Sequence, residues 1–131
     1  MSFVLGNKSK QNLAGVNLVL VDVVQLALTI SVIDFGIPAD GGIRTAERQK
    51  ELFDAKKSKA DGYVKKSKHQ SGNAFDVYAF VDGKASWDEK HLALVAAAIL
   101  QAANQLGVHL VWGGLWKGFR DMPHFEIKER K

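Results

Sequence analysis

A chain of 131 residues is sized for one compact domain with one core, and 47% hydrophobic against 24% charged residues excludes a disordered polyelectrolyte. The absence of cysteine excludes disulfide scaffolds, thiolate metal sites and thiol catalysis, so any metal must be held by His, Asp or Glu. The formal charge of +4 suits an acidic polymer as partner, and equally suits ordinary solubility.

The opening MSFVLGNKSKQ lacks the basic region, apolar core and cleavage site of a secretory signal, so the chain is expected to start in a cytoplasm. The apolar stretch 13–33 is interrupted by Gly15, Asn17, Asp22, Gln25 and Thr29, which argues against a membrane span. Ser9 is placed to cap a helix over 9–30, in which Leu13, Val16, Leu20, Ala27 and Ile30 return at helical spacing. A short strand over 32–37 follows, ended by Pro38, Asp40, Gly41 and Gly42. Thr45 opens a second helix, with Glu47 in its first turn where the helix dipole favours an acid.

The lysine-rich, apolar-poor segment 56–73 is expected to be a long exposed loop, a class that is usually functional or disordered. Over 74–81 strand character resumes, with Phe75, Val77, Ala79 and Val81 on one face and Asp76, Tyr78 and Phe80 on the other, before a turn at Asp82, Gly83 and Lys84. Ser86 and Glu89 form a capping box for a helix over 87–106 closed by Gly107, its inner stripe running through Leu92, Val95, Ile99, Ala102 or Ala103, and Leu106. Val108, Leu110 and Trp112 alternate as a further strand, and HFEI near the end is a last one. The pattern is α+β, with helices packed on a small antiparallel sheet.

Without cysteine, histidine is the best available transition-metal ligand, and the chain has four. His91, in a first helical turn, is expected on the surface, and His109 is expected to serve the sheet. His69 ends the polar loop, and Asp76 stands seven residues later inside an apolar strand, where a carboxylate demands a counter-charge. His124 lies on the terminal strand, sharing a face with Glu126. Two His and one carboxylate are a common catalytic zinc set that leaves a fourth position for water. Asp121, three residues before His124, is placed to act as general base, and Arg44 in the turn GGIRT is a candidate for stabilising an oxyanion.

At this point the chain resembles a family. SKHQSGNAFD matches the S-x-H-x-x-G-x-A-x-D signature of zinc peptidases of the D-alanyl-D-alanine carboxypeptidase (VanY) type, which include the phage L-alanyl-D-glutamate endopeptidases. A G-x-R turn upstream (Gly42, Ile43, Arg44) and a C-terminal acidic-x-x-His (Asp121, His124) extend the likeness over about 35–127. The lysine loop before SKH and the W-x-x-x-W of Trp112 and Trp116 resemble most the endolysins of tailed phages. Met122 and Pro123 depart from the glycines that a phage member of the family carries between base and last His.

The resemblance implies the fold shared by D-Ala-D-Ala metallopeptidases and hedgehog signalling domains, with one zinc ion per chain on His69, Asp76 and His124. It implies Asp121 as catalytic base, Arg44 as the group that binds the carbonyl oxygen, and Ser67 near the substrate, although Ser67 is equally suited to stabilising its own turn. The activity implied is hydrolysis of the L-alanyl-D-glutamate bond of peptidoglycan stem peptides by a monomer that stays in the host cytoplasm until lysis and then reaches the wall. Two alternatives stay open: a D-alanyl-D-alanine carboxypeptidase or dipeptidase with the same site, and a silent wall-binding module with structural zinc. No nucleic-acid partner is expected, because no aromatic residues interleave the lysines of 56–68. Glu126 is a candidate partner for a ligating His, and Trp112 and Trp116 are candidates for the groove or for packing.

Overall fold

The computed structural model describes residues 2–128. Chain order is α1 (Asn7–Asn12), α2 (Leu18–Ile30), β1 (Asp34–Gly36), α3 (Ala46–Asp54), a 3-10 turn (Lys68–Ser71), β2 (Ala74–Asp76), β3 (Tyr78–Val81), β4 (Lys84–Ser86), α4 (Glu89–Gln105), β5 (Leu110–Trp112), a second 3-10 turn (Gly113–Leu115) and β6 (His124–Ile127). The strands form two three-stranded antiparallel sheets, ordered β1-β3-β4 and β2-β6-β5, rather than a single sheet. Helices α2 and α4 pack on each other, and α4 also packs against β3 and β5. One cluster of buried side chains, from Leu5 through α2, β2, β3 and α4 to Phe125, joins both sheets to the helices. Among the described residues no helix is long and apolar enough to cross a membrane.

The helix expected over 9–30 is two helices. Gly15 takes φ +86, a backbone conformation that L side chains rarely adopt, and Asn17 then caps α2 by accepting the Val19 N–H at 3.0 Å. Ser9 does not cap; it is buried within α1, where its hydroxyl accepts the Ile37 N–H at 2.9 Å. Thr45 does cap α3, accepting from Arg48 N at 3.0 Å.

The strand expected over 74–81 divides at Val77, whose N–H donates to the Pro123 carbonyl. Its first half pairs with β6 and its second with β1 and β4, yet the alternation survives: Phe75, Val77 and Ala79 are buried and Phe80 is exposed. Asp82 and Gly83, at φ 53 and 77, form a two-residue hairpin turn, so Lys84 to Ser86 become β4, a strand that sequence periodicity missed. In consequence Ser86 is no helix cap. Asp88 caps α4 by accepting from Lys90 N, and Ser86 instead bonds His91 Nδ1 at 2.7 Å. Gly107 closes the helix at φ +71, but Leu106 is 46% exposed and lies outside the inner stripe.

Candidate metal centre

Register places two of the candidate ligands. In the β2–β6 pair Phe75 stands opposite Phe125 and Asp76 opposite His124. The two phenylalanines are fully buried and their rings stack with centroids 5.3 Å apart, so Asp76, which follows Phe75, and His124, which precedes Phe125, are turned to the other face of the sheet. Asp76 and His124 therefore meet as a cross-strand pair. The third side chain, His69, comes from the 3-10 turn before β2. Ser67 accepts the His69 N–H at 3.2 Å, Gln70 accepts the Ser67 N–H at 2.8 Å, and Gly72 at φ +77 ends the turn. The ring is aimed by the Gly42 carbonyl, to which Nδ1 donates at 2.9 Å. Gly42 itself lies so close to α1 that a Cβ would overlap the Asn12 carbonyl.

Three atoms converge: His69 Nε2 and His124 Nδ1 are 3.1 Å apart, and Asp76 Oδ1 is 3.2 Å from the first and 3.0 Å from the second. His69 Nδ1 carries a proton toward a carbonyl, and His124 Nε2 donates to Glu126 Oε1 at 2.8 Å. In the neutral tautomers the two facing nitrogens are bare, so three lone pairs point at one another. Such a set is repulsive until a cation sits between its members. In tetrahedral zinc with bonds of about 2.0–2.1 Å, ligand atoms lie roughly 3.3–3.4 Å apart, close to the observed triangle. The residues fit a zinc ion.

The electrostatics agree. Burial opposes the charge of Asp76, but hydrogen bonds with His124 and His69 outweigh it and hold the carboxyl well below its usual range. Burial likewise opposes charged His124, yet its bonds to Asp76 and Glu126 raise its pKa to about 9. A proton can thus take the cation's place in metal-free protein. The counter-charge demanded by Asp76 is supplied in part by Arg44, whose Nη2 donates to Oδ2 at 2.9 Å while Nε binds the Asp40 carbonyl and Nη1 binds Gln49.

His69, Asp76, His124, Arg44 and Glu126 line a cleft of about 440 Å3 together with Asp121, Ser67, Trp116 and Phe119. The Asp121 backbone is pinned to Gly113, and burial with the neighbouring Asp76 charge pushes its carboxyl pKa up. Ser67 borders the cleft, but its hydroxyl is engaged in capping the turn. The two tryptophans separate: Trp116 lies 5.2 Å from the His124 ring in the cleft, whereas Trp112 stacks on Phe125 and donates to the Met122 carbonyl. His91 and His109 take no part in the cluster of His69, Asp76 and His124; His109 is exposed just ahead of β5, where its carbonyl accepts the Lys128 N–H at 2.9 Å and continues the pairing of β5 with β6. The sequence reading missed Gln49, fully buried beside Arg44, and Lys68, whose Nζ lies 3.2 Å from Glu126 Oε2. A glutamine inside an amphipathic helix and one lysine among many carry no signal of their own.

A family model described as phage L-alanyl-D-glutamate peptidase matches residues 1–130. The chain is 35% identical to the L-alanyl-D-glutamate peptidase of Escherichia phage T5 over 132 residues, covering 98% of this chain and 91% of that protein. It is also similar to the crystal structure of the Serratia marcescens L-Ala D-Glu endopeptidase ChiX, with TM-score 0.85, 35% identity, and coverage of 97% of this chain and 91% of that one.

Proposed function

Because the chain belongs to the phage L-alanyl-D-glutamate peptidase family, we propose that it is a zinc peptidase that hydrolyses the L-alanyl-D-glutamate bond of peptidoglycan stem peptides. The observation that carries the reading is the convergence of His69 Nε2, His124 Nδ1 and Asp76 Oδ1 beside the protonatable carboxylate of Asp121 in one cleft. His69, Asp76 and His124 would hold the ion. Zinc, when bound there, supplies a Lewis acid for the peptide carbonyl and acidifies the attacking water.

The remaining steps fall to the chain's own groups. Asp121, raised by burial toward a useful basicity, takes a proton from the water as its oxygen bonds to the carbonyl carbon. The same carboxyl returns that proton to the nitrogen as the carbon–nitrogen bond breaks, giving an L-alanine carboxylate and a free D-glutamate amine. Arg44 holds Asp76 by its outer oxygen, and two of its five N–H groups have no protein partner among the described residues, so its positive charge favours the developing oxyanion. Ser67 keeps the His69 turn in shape at the cleft edge. In this reading the enzyme reaches the wall from the cytoplasm of the producing cell at lysis.

Digestion of purified peptidoglycan with the zinc-loaded protein, followed by mass spectrometry of the products, tests the proposal. New L-alanine carboxyl ends are expected. Loss of terminal D-alanine instead would assign the D-alanyl-D-alanine carboxypeptidase reaction, and an undigested wall would leave a zinc-stabilised binding module.

A further inference from the structure

The segment 55–67 has the composition of a mobile loop, yet it follows a pinned course. The Gln49 side chain, fully buried, donates to Ser58 Oγ at 2.7 Å and to the Ala60 carbonyl at 2.8 Å. Asp61 Oδ1 accepts the N–H groups of Tyr63, Val64 and Lys65 at 3.2, 3.1 and 2.8 Å. Gln70, next to His69, donates to the Gly62 carbonyl at 2.9 Å. These bonds order a polar segment that has almost no core contact of its own, and what the segment presents is charge.

Lys57, Lys59, Lys65 and Lys66 all line the cleft that holds His69, Asp76 and His124. The carboxylates on the same cleft are largely spoken for: Asp40 pairs with Arg48 at 2.7 Å, Asp76 with Arg44 at 2.9 Å and Glu126 with Lys68 at 3.2 Å. Among the described residues none of Lys57, Lys59, Lys65 and Lys66 has an ion-pair partner, and Lys59 reaches instead over the Phe119 ring at 5.3 Å. One side of the cleft is therefore a preorganised cationic wall, and a cleft lined by one sign of charge concentrates ligands of the other.

Resting on the peptidase reading above, we infer that this lysine wall is a carboxylate subsite. A glutamate joined through its amine to L-alanine and through one carboxyl to the next residue keeps its second carboxylate. The wall binds that group and makes the free-acid stem peptide a better substrate than its amide. Exposed charge contacts are each worth up to about fivefold, so a few acting together give a preference of about tenfold.

The test is steady-state kinetics on two synthetic stem peptides that differ only in whether this carboxylate is free or a primary amide. Zinc-loaded wild type is expected to prefer the free acid about tenfold in kcat/KM, through KM. The variant K57Q/K59Q/K65Q/K66Q should bring that ratio to within twofold of one. The variant K8Q/K10Q/K84Q/K90Q removes the same charge, from +4 to 0, at exposed lysines outside the cleft, and should keep the wild-type ratio. Calorimetric titration of metal-free protein with both peptides should show the same preference in Kd. Equal kcat/KM for the two peptides in wild type, or an undiminished ratio in the wall variant, overturns the subsite. Cleavage of neither peptide by wild type overturns the peptidase reading, and this inference with it.

Discussion

Asp121 and the three proposed ligands have separable roles, because only the ligands' atoms converge on one point. Asp121→Ala is expected to lower turnover by a factor of about 10^2–10^4 while zinc stays near one per chain, measured by muropeptide release and elemental analysis. His69→Ala or His124→Ala should lose zinc together with activity, and a variant that kept stoichiometric metal would sink the ligand set. Glu126 accepts from His124 Nε2 at 2.8 Å and is itself held by Lys68, whose Nζ also donates to the Ile127 carbonyl at 2.6 Å. Partners of this kind fix the tautomer of a ligating imidazole, so Glu126→Ala should weaken zinc affinity about 10–100-fold in a chelator competition. The metal-free protein also carries a pH signature. With His124 raised from 6.5 to about 9, protonated His124 stabilises the fold fully below about pH 6.5, and that contribution is lost as pH rises through 9. The Tm of chelator-treated protein should fall across this window; a flat or rising Tm would contradict it. The histidines and acids were legible in the sequence because a carboxylate in an apolar strand and a histidine in a polar loop are out of place. The pairing of His124 with Glu126 was legible too, since the two share a strand face, but its extension to Lys68 was not, since Lys68 and Glu126 stand 58 positions apart.

Elements position these groups through close backbone approach. The turn at Gly41 and Gly42 is wedged between α1 and β2: the Gly41 carbonyl accepts the Asp76 N–H at 2.8 Å, and the Gly42 carbonyl orients His69. Gly42→Ala would drive a Cβ into the Asn12 carbonyl, and overpacking of this kind costs about 1–3 kcal/mol. The substitution should therefore lower Tm and weaken zinc binding together, although residue 42 touches no metal; unchanged values for both would refute the wedge. Capping signals revealed α3, and periodicity revealed α4 and the buried face of the run 74–81. It could not show that the run 74–81 serves two sheets, because the partner strands β1 and β6 lie far away in sequence and alternation looks the same with either. Nor could it show the break after α1, where helical spacing of apolar residues continues across Gly15.

At the scale of the whole molecule, the buried cluster is continuous from α2 through both sheets to α4. A single cooperative unfolding transition is expected by calorimetry, as for one domain, and light scattering should give the monomer mass of 14.4 kDa. Two separated transitions would divide the chain into independent units. The sequence by itself determined the chemistry available: no thiols, two histidines in unusual settings, a carboxylate inside an apolar strand and a lysine-rich segment beside them. These are local facts of residue type and spacing. Only the tertiary structure decided that Asp76 and His124 are cross-strand neighbours, that Arg44 occupies the outer oxygen of Asp76, and that the lysines line the cleft as a pinned wall. Such relations depend on which distant backbones hydrogen-bond and how closely they pack, and no spacing along the chain encodes them.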